Sequence, residues 1–343
     1  MAPLKLAPVL AGAPVGGAEN FYARFVAEIK KRSDYQVTAF TRPNKRREQV
    51  LAEANVSAQL FRFGGKLDFI DHWCYRRALK AWGPDIVMTF MNRATQLTPK
   101  GDYQLVARLG HYYDLKYYRH CDHWVGITQG ICSHLISGGM PAENVHHIPN
   151  FIDETRAEPL PRDSFNTPTD QPLLLAFGRL HVNKGFDVLL RSLSNMDSGV
   201  LWLAGSGPEH DNLQALAREL GIEHRVKFLG WRDDINALLA TADVFVCPSR
   251  HEGLGSILLE SWFHGCPVVA ASSQGPSEVL TDGKTGLLVP IDDHHALQTA
   301  IQQVLDSDAL KQQLVTQGLA EYQRTYSAET IIEAYKTLFN RIT

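Results

Sequence analysis

No apolar run in the 343 residues reaches the length of about 18 that a membrane-spanning helix needs. Cysteine is scarce: Cys74, Cys121, Cys132, Cys247 and Cys266, with no C-x-x-C pair among them. An odd number of unpaired spacings reads as free thiols in a reducing compartment, not as a disulfide framework. Excess charge is also lacking. The formal net charge is -3, which argues against bulk nucleic-acid binding. There are no repeats and no low-complexity tract. Met1–Val15 is apolar and small, but Pro3, Pro8 and Pro14 interrupt it and only Lys5 leads in with a basic charge. It reads as the start of a domain and not as a signal peptide.

Several chemical motifs are incomplete. Gly205-Ser206-Gly207-Pro208-Glu209-His210 starts as a dinucleotide fingerprint, but His210 stands where the third glycine belongs. Gly283-Lys284-Thr285 ends as a P-loop would, but its first glycine is Glu278. His120, Cys121, His123, Cys132 and His134 lack the second matched pair of a zinc site. The only D-x-D, Asp306-Ser307-Asp308, lies in a helical region and not at a strand end.

What is present is the composition of a globular protein, 44% hydrophobic and 21% charged. Apolar runs alternate with helical patterns. In the first half the runs are Leu4–Leu10, Gln36–Phe40, Ile86–Phe90, Leu105–Leu109 and Trp124–Ile127. In the second they are Leu173–Phe177, Val200–Ala204, Val226–Leu229, Val244–Cys247 and Val268–Ala270. Helical stretches such as Ala18–Lys31, Trp73–Trp82, Phe186–Leu193 and Ser256–His264 intervene. This alternation predicts α/β domains with parallel sheets covered on both faces. Asp153–Pro172 is polar, carries four prolines and has no period, so it reads as an interdomain linker. The predicted domains are 1–158 and 165–326. Ser327 has the position of an N-cap for a last helix over 327–343.

The chemistry concentrates in two segments. In Arg250-His251-Glu252-Gly253-Leu254-Gly255-Ser256, a strand ending at Cys247 delivers a loop and then a helix. A helix start presents unpaired N–H groups and the positive end of its dipole, which suits a diphosphate. Glu260 then lies about 6 Å further along the axis, at 1.5 Å per residue. A carboxylate there can accept from both hydroxyls of a ribose. Glu252 could reach a donor sugar. By spacing alone, both glutamates fit a solvated loop and helix equally well. In the second segment, Gly178-Arg179 and Lys184-Gly185 follow the buried strand Leu173–Phe177. Cations at a strand's carboxyl end sit where open α/β sheets bind ligands. Taken alone, they are also ordinary surface cations at a turn.

Together the two segments resemble the retaining GT-B glycosyltransferases of family 4, the glycosyl transferases group 1. The shared pattern is Gly178-Arg179 with Lys184-Gly185, then Gly205-Ser206-Gly207-Pro208, then Glu252-Gly253-Leu254-Gly255 with Glu260. Gly16-Gly17-Ala18-Glu19 and His146–Asp153 agree more loosely, and Phe151 replaces a glycine of the family pattern. The resemblance implies two doubly wound Rossmann-like domains facing across a cleft, with helix 327–343 returning to the first. It implies that Arg179 and Lys184 bind the donor diphosphate. The backbone at Gly178 and at Gly255, Ser256 and Ile257 would also bind the donor. Glu260 would hold the ribose and Glu252 the donor sugar. Gly16 and Gly17 would let the first domain close over the pyrophosphate. His111, after the run Leu105–Leu109, would lie near the reacting sugar, or serve as a structural histidine.

The implied activity is retaining transfer from a nucleotide-diphosphate sugar to a glycan or glycolipid hydroxyl, without metal or cofactor. Bacterial lipopolysaccharide or envelope polysaccharide synthesis is the expected setting, in the cytoplasm. A nucleotide-sugar epimerase or hydrolase, and a non-catalytic nucleotide-sugar binding protein, stay open beside it. The basic clusters Lys45-Arg46-Arg47 and Arg76-Arg77-Lys80, the second near Phe69, Ile70, Trp73 and Trp82, fit either a peripheral contact with the inner membrane surface or plain helix surface.

Overall fold

The computed structural model describes residues 3–13, 16–65 and 67–343. Met1, Ala2, Pro14 and Val15 of the apolar N-terminal run lie outside the described residues. The chain forms two compact units, residues 1–151 with 327–343, and residues 152–326.

The first unit runs β1 (Lys5–Leu10), α1 (Gly17–Arg32), β2 (Gln36–Thr41), α2 (Lys45–Glu53), β3 (Ser57–Leu60), α3 (Phe69–Trp82), β4 (Ile86–Phe90), α4 (Met91–Leu97), β5 (Gln104–Leu109), β6 (His123–Gly126), α5 (Gln129–Ser137) and β7 (Val145–His147). Its strands pair in parallel in the order β3-β2-β1-β4-β5-β6-β7. The second unit runs β8 (Leu173–Phe177), α6 (Phe186–Ser194), β9 (Val200–Ala204), α7 (His210–Glu219), β10 (Val226–Gly230), α8 (Ile235–Thr241), β11 (Val244–Cys247), α9 (Ser256–Phe263), β12 (Val268–Ala271), α10 (Gln274–Val279), β13 (Leu287–Val289), α11 (His294–Asp306) and α12 (Asp308–Glu321). Its strand order is β10-β9-β8-β11-β12-β13, again parallel. Each sheet therefore winds outward in both directions from a central pair. The direction reverses between β1 and β4 in one unit and between β8 and β11 in the other. Such switch points leave a crevice at the strands' carboxyl ends.

The apolar runs become strands because every residue of β4, β8, β9, β11 and β12 is buried. A buried parallel strand needs an apolar side chain on both faces. Three strands escape the sequence pattern. They are β3, β7 and β13, three or four residues long and partly exposed at or near sheet edges. Helix α2 also departs from the pattern, since it buries only Arg47 and Leu51. Asn44 caps it by accepting from the Arg47 N–H.

After a π-helical turn over Tyr322–Tyr326, Ser327 accepts from the Thr330 N–H and starts α13 (Ala328–Ile342). This helix completes the core of the first unit. Tyr335 meets Phe25 with ring centroids 4.8 Å apart, and Ile331, Ile332 and Phe339 join the same buried cluster. Each such buried side chain contributes about 1.5–3 kcal/mol.

The non-periodic stretch after residue 152 is fastened to the second unit. The Leu160 N–H donates to Thr241 Oγ1 at 2.7 Å, and Arg162 pairs with Asp243 at 2.8 Å. Trp202 Nε1 donates to Thr167 Oγ1 at 2.8 Å. The division between units accordingly falls between Phe151 and Ile152, ahead of the proline-rich stretch.

Candidate functional site

In the second unit, the loops leaving β8, β9 and β11 come together at the switch point. They approach backbone to backbone. A Cβ on Gly205 would lie 1.9 Å from the Gly178 carbonyl oxygen, and one on Gly185 would lie 2.1 Å from the Pro248 carbonyl oxygen. Only glycine fits at such distances. The Gly178 and Leu180 N–H groups bond to the Ala204 and Ser206 carbonyls at 3.0 and 2.9 Å, which closes the seam between the first two loops. The Gly205-Ser206-Gly207-Pro208 motif thus packs one loop against another.

The seam between the loops after β8 and β11 is held by charge. Arg250 places its guanidinium on both oxygens of Asp187 at 2.9 and 2.7 Å, on Asp292 at 2.6 Å and on the Val182 carbonyl at 2.7 Å. Burial alone would raise the Asp187 pKa, but the hydrogen bonds and charge of Arg250 overcome it and hold the carboxyl low. The Arg250 and His251 N–H groups both bond to the Asn183 carbonyl. Arg250 and Asp187 have no place among the residues the motif pattern picks out. Their only sequence signal is position, directly ahead of the Glu252 motif and three residues after Lys184.

Within this frame Lys184 Nζ lies 2.5 Å from Glu252 Oε2, although the two stand 68 residues apart. Their side chains are 21% and 15% exposed, so the pair is largely shielded from water. Ser249 Oγ approaches the same Glu252 oxygen at 3.4 Å. The Lys184 stem passes within 3.5 Å of the position a Gly178 Cβ would take. Arg179, on the same loop, is exposed and makes no hydrogen bond or ion pair among the described residues.

Gly255 occupies the N-cap of α9 in the left-handed region, and no side chain caps that end. The Leu258 N–H returns to the Gly255 carbonyl. The Ser256 and Ile257 N–H groups carry no such bond and are open to an anion. Glu260 follows on α9, partly buried. The second unit therefore gathers Gly178, Arg179, Lys184, Glu252, Gly255, Ser256, Ile257 and Glu260 on loops and a helix start around one switch point.

The remaining predicted residues belong to the first unit. Gly16 is the N-cap of α1 and Gly17 its first residue. Nearby, the buried Glu19 carboxylate accepts the Ala13 N–H at 2.7 Å. His111 is exposed past the end of β5, its ring centroid 6.2 Å from that of Tyr113. Of the weighed metal-ligand types, His120 and His134 meet the Thr98 and Tyr113 carbonyls. Ser307 of the D-x-D caps α12.

Two Rossmann-like units with this loop set define a GT-B glycosyltransferase. The family model for glycosyl transferases group 1 matches residues 159–320, and that for Glycosyltransferase Family 4 matches residues 15–156. The chain is 35% identical over 327 residues to the lipopolysaccharide core biosynthesis glycosyltransferase LpsE of Rhizobium meliloti, covering 94% of this chain and 95% of that protein. It is 32% identical to LpsD of the same organism, covering 95% of each. The crystal structure of Anabaena HepE with UDP and glucose superposes with a TM-score of 0.82 at 21% identity, over 98% of this chain and 100% of that one. The chain belongs to the family 4 glycosyltransferases, the glycosyl transferases group 1.

Lys184→Met should leave the shielded Glu252 carboxylate without its cation and lower stability by about 1–3 kcal/mol. Urea melts of Lys184→Met, Glu252→Gln and the double variant check this. The expected result is a double variant more stable than the two losses added together, with a coupling of about 1 kcal/mol or more. Strict additivity would contradict the pairing.

Proposed function

We propose that this glycosyltransferase moves a sugar from a nucleotide-diphosphate donor on the second unit to a hydroxyl of a glycan or glycolipid acceptor on the first. The observation that carries this is the Lys184–Glu252 pair set between an unpartnered Arg179 and the uncapped start of α9. An anion entering there meets two cations and open N–H groups. Glu260 holds the ribose hydroxyls and Glu252 those of the donor sugar. As the glycosidic bond breaks, negative charge grows on the diphosphate oxygen. Arg179, Lys184 and the helix start stabilise it where it forms, which gives the positive charge a metal ion would otherwise bring. The reaction is read as metal-independent. That same oxygen takes the proton of the acceptor hydroxyl on the face the leaving group vacates, so the anomeric configuration is retained.

The names of LpsE and LpsD support an acceptor in lipopolysaccharide core or related envelope polysaccharide synthesis. The UDP and glucose in the HepE structure support a nucleotide-sugar donor. The test is turnover of nucleotide sugars with a core oligosaccharide acceptor in EDTA, with the product anomer read by NMR. Arg179→Ala should lower kcat about 10²- to 10³-fold. An inverted product, a requirement for metal, or unchanged turnover in Arg179→Ala would each contradict the mechanism. Free sugar or an epimer as sole product would favour the hydrolase or epimerase reading. Binding without turnover would favour a binding protein.

The same reading places the enzyme in the cytoplasm, in peripheral contact with the inner membrane surface. The support is a protruding apolar cluster in which Leu67, Phe69, Ile70 and Trp73 are 85%, 69%, 75% and 59% exposed. Arg77 stands 5.3 Å over the Trp73 ring, with Arg76 and Lys80 on the same helix α3. Apolar residues beside basic ones suit an anionic bilayer surface. Among the described residues, no helix is long and apolar enough to cross a membrane. Phosphatidylglycerol vesicles should sediment the protein, and Phe69→Ser with Trp73→Ser should release it. Equal sedimentation by neutral vesicles, or none, would contradict the contact.

A further inference from the structure

The first unit has a recess of its own at its switch point. A cavity of about 510 Å³ opens where the chain leaves β1, β2, β4 and β5. Arg42, Asn92, Arg93, Tyr113 and Tyr117 line it, with the turn at Gly12 and Ala13. A second recess of about 500 Å³ shares Gly12, Ala13 and Arg42 and adds Arg47 and Arg62. Among the described residues, no acidic side chain lines either recess.

The four arginines are not equivalent. Arg62 pairs with Asp68 at 2.6 Å. Arg47 is buried and spends its guanidinium on Thr41 Oγ1, the Arg42 carbonyl and the Ala13 carbonyl. Arg42 and Arg93 are different. Among the described residues, each makes a single long bond of 3.5 Å, to the Gly12 and Phe63 carbonyls respectively, and neither meets a carboxylate. The nearby Glu19 carboxylate is already held by the Ala13 N–H. Two cations thus share one cavity with most of their donors unspent.

The rest of the lining is polar and aromatic. Tyr118 donates its hydroxyl to Asn92 Oδ1, which leaves the Asn92 amide nitrogen free to donate. Tyr113 and Tyr117 offer ring faces for the C–H side of a sugar and hydroxyls for its edge. Met91, in the lining, is held in a sparse region at φ 70°. Strain of this kind persists where the surroundings enforce it, and it collects at ligand sites.

We propose that this cavity takes the anionic substituent of the acceptor saccharide, a phosphate monoester or a carboxylate, on Arg42 and Arg93. Guanidinium groups match both anions with paired, charge-assisted hydrogen bonds. The inference rests on the reading that the first unit holds the acceptor, and it narrows the acceptor class to sugars bearing an acidic group.

The test uses the intact chain with saturating nucleoside diphosphate, so that the donor site is filled. Glucose 6-phosphate, glucuronate and glucose are titrated as probes by calorimetry or ligand-observed NMR. The expected result is that one anionic sugar binds at least about tenfold more tightly than glucose, and which one it is names the anion. Arg42→Gln with Arg93→Gln should remove that preference, as loss of a charged hydrogen-bond donor costs about tenfold or more. Arg93→Gln alone, at an exposed position, should weaken it in part. Both variants should keep the melting-temperature rise with nucleoside diphosphate. Equal binding of the three sugars, no binding of either anion, or an unchanged preference in the double variant would overturn the proposal. If no nucleoside diphosphate stabilises the protein while the anion preference and its loss remain, the donor reading fails and this site stands.

Discussion

The contact between bare backbones at Gly205 and Gly178, and again at Gly185 and Pro248, governs everything else in the second unit. Two loops can share one switch point only if no side chain stands between them. Once they close, Lys184 arrives beside Glu252 from the neighbouring strand β8, although the two stand 68 residues apart. Arg250 and its two aspartates join the same seam by charge, with the guanidinium largely covered and the carboxylates partly open to water. The result is a cation held by a neighbouring carboxylate, with an open helix start adjoining it. Such preorganisation spends folding energy in advance, so that little reorganisation is needed when charge develops.

The first unit has the same winding but fills its switch point differently. Its core is rich in aromatic rings, from Phe21, Phe25 and Phe90 to Tyr335 and Phe339 of the returning C-terminal helix. Above the strand ends, Arg42 and Arg93 meet no carboxylate among the described residues, where Lys184 and Arg250 of the second unit are paired. Arg250 is saturated by protein, and Arg42 and Arg93 are not. The contrast separates the units: in one, paired charges frame the open Arg179, and in the other, two open cations line a recess.

Much of this was legible in the sequence because buried parallel strands write themselves as apolar runs. Leu173–Phe177 and Val200–Ala204 are strands at the bounds the runs predict. The edge strands β3, β7 and β13 are too short and too exposed to leave such a trace. The polar helix α2 lacks an apolar stripe, and Lys45-Arg46-Arg47 shows only as a charge cluster. The glycines, Lys184 and Glu252 could be singled out because the motif spacing places them at strand and helix ends. Arg250 with Asp187, and Arg42 with Arg93, could not. Those pairs act through contacts or cavities made by residues far apart in sequence. The proline-rich stretch has no backbone period, yet Arg162 and Thr167 bond it to the second unit, contacts that composition does not show.

The central claim is that the second unit binds a nucleoside diphosphate with Glu260 on the ribose. A thermal-shift screen of UDP, GDP and ADP in EDTA tests it most directly. Ligand that binds the folded state adds about 2.7 kcal/mol of stability at a hundredfold excess over Kd. The account predicts a clear rise in melting temperature with one of the three, lost in Glu260→Ala. No rise with any of them at several times millimolar concentration, or an equal rise in Glu260→Ala, would contradict it.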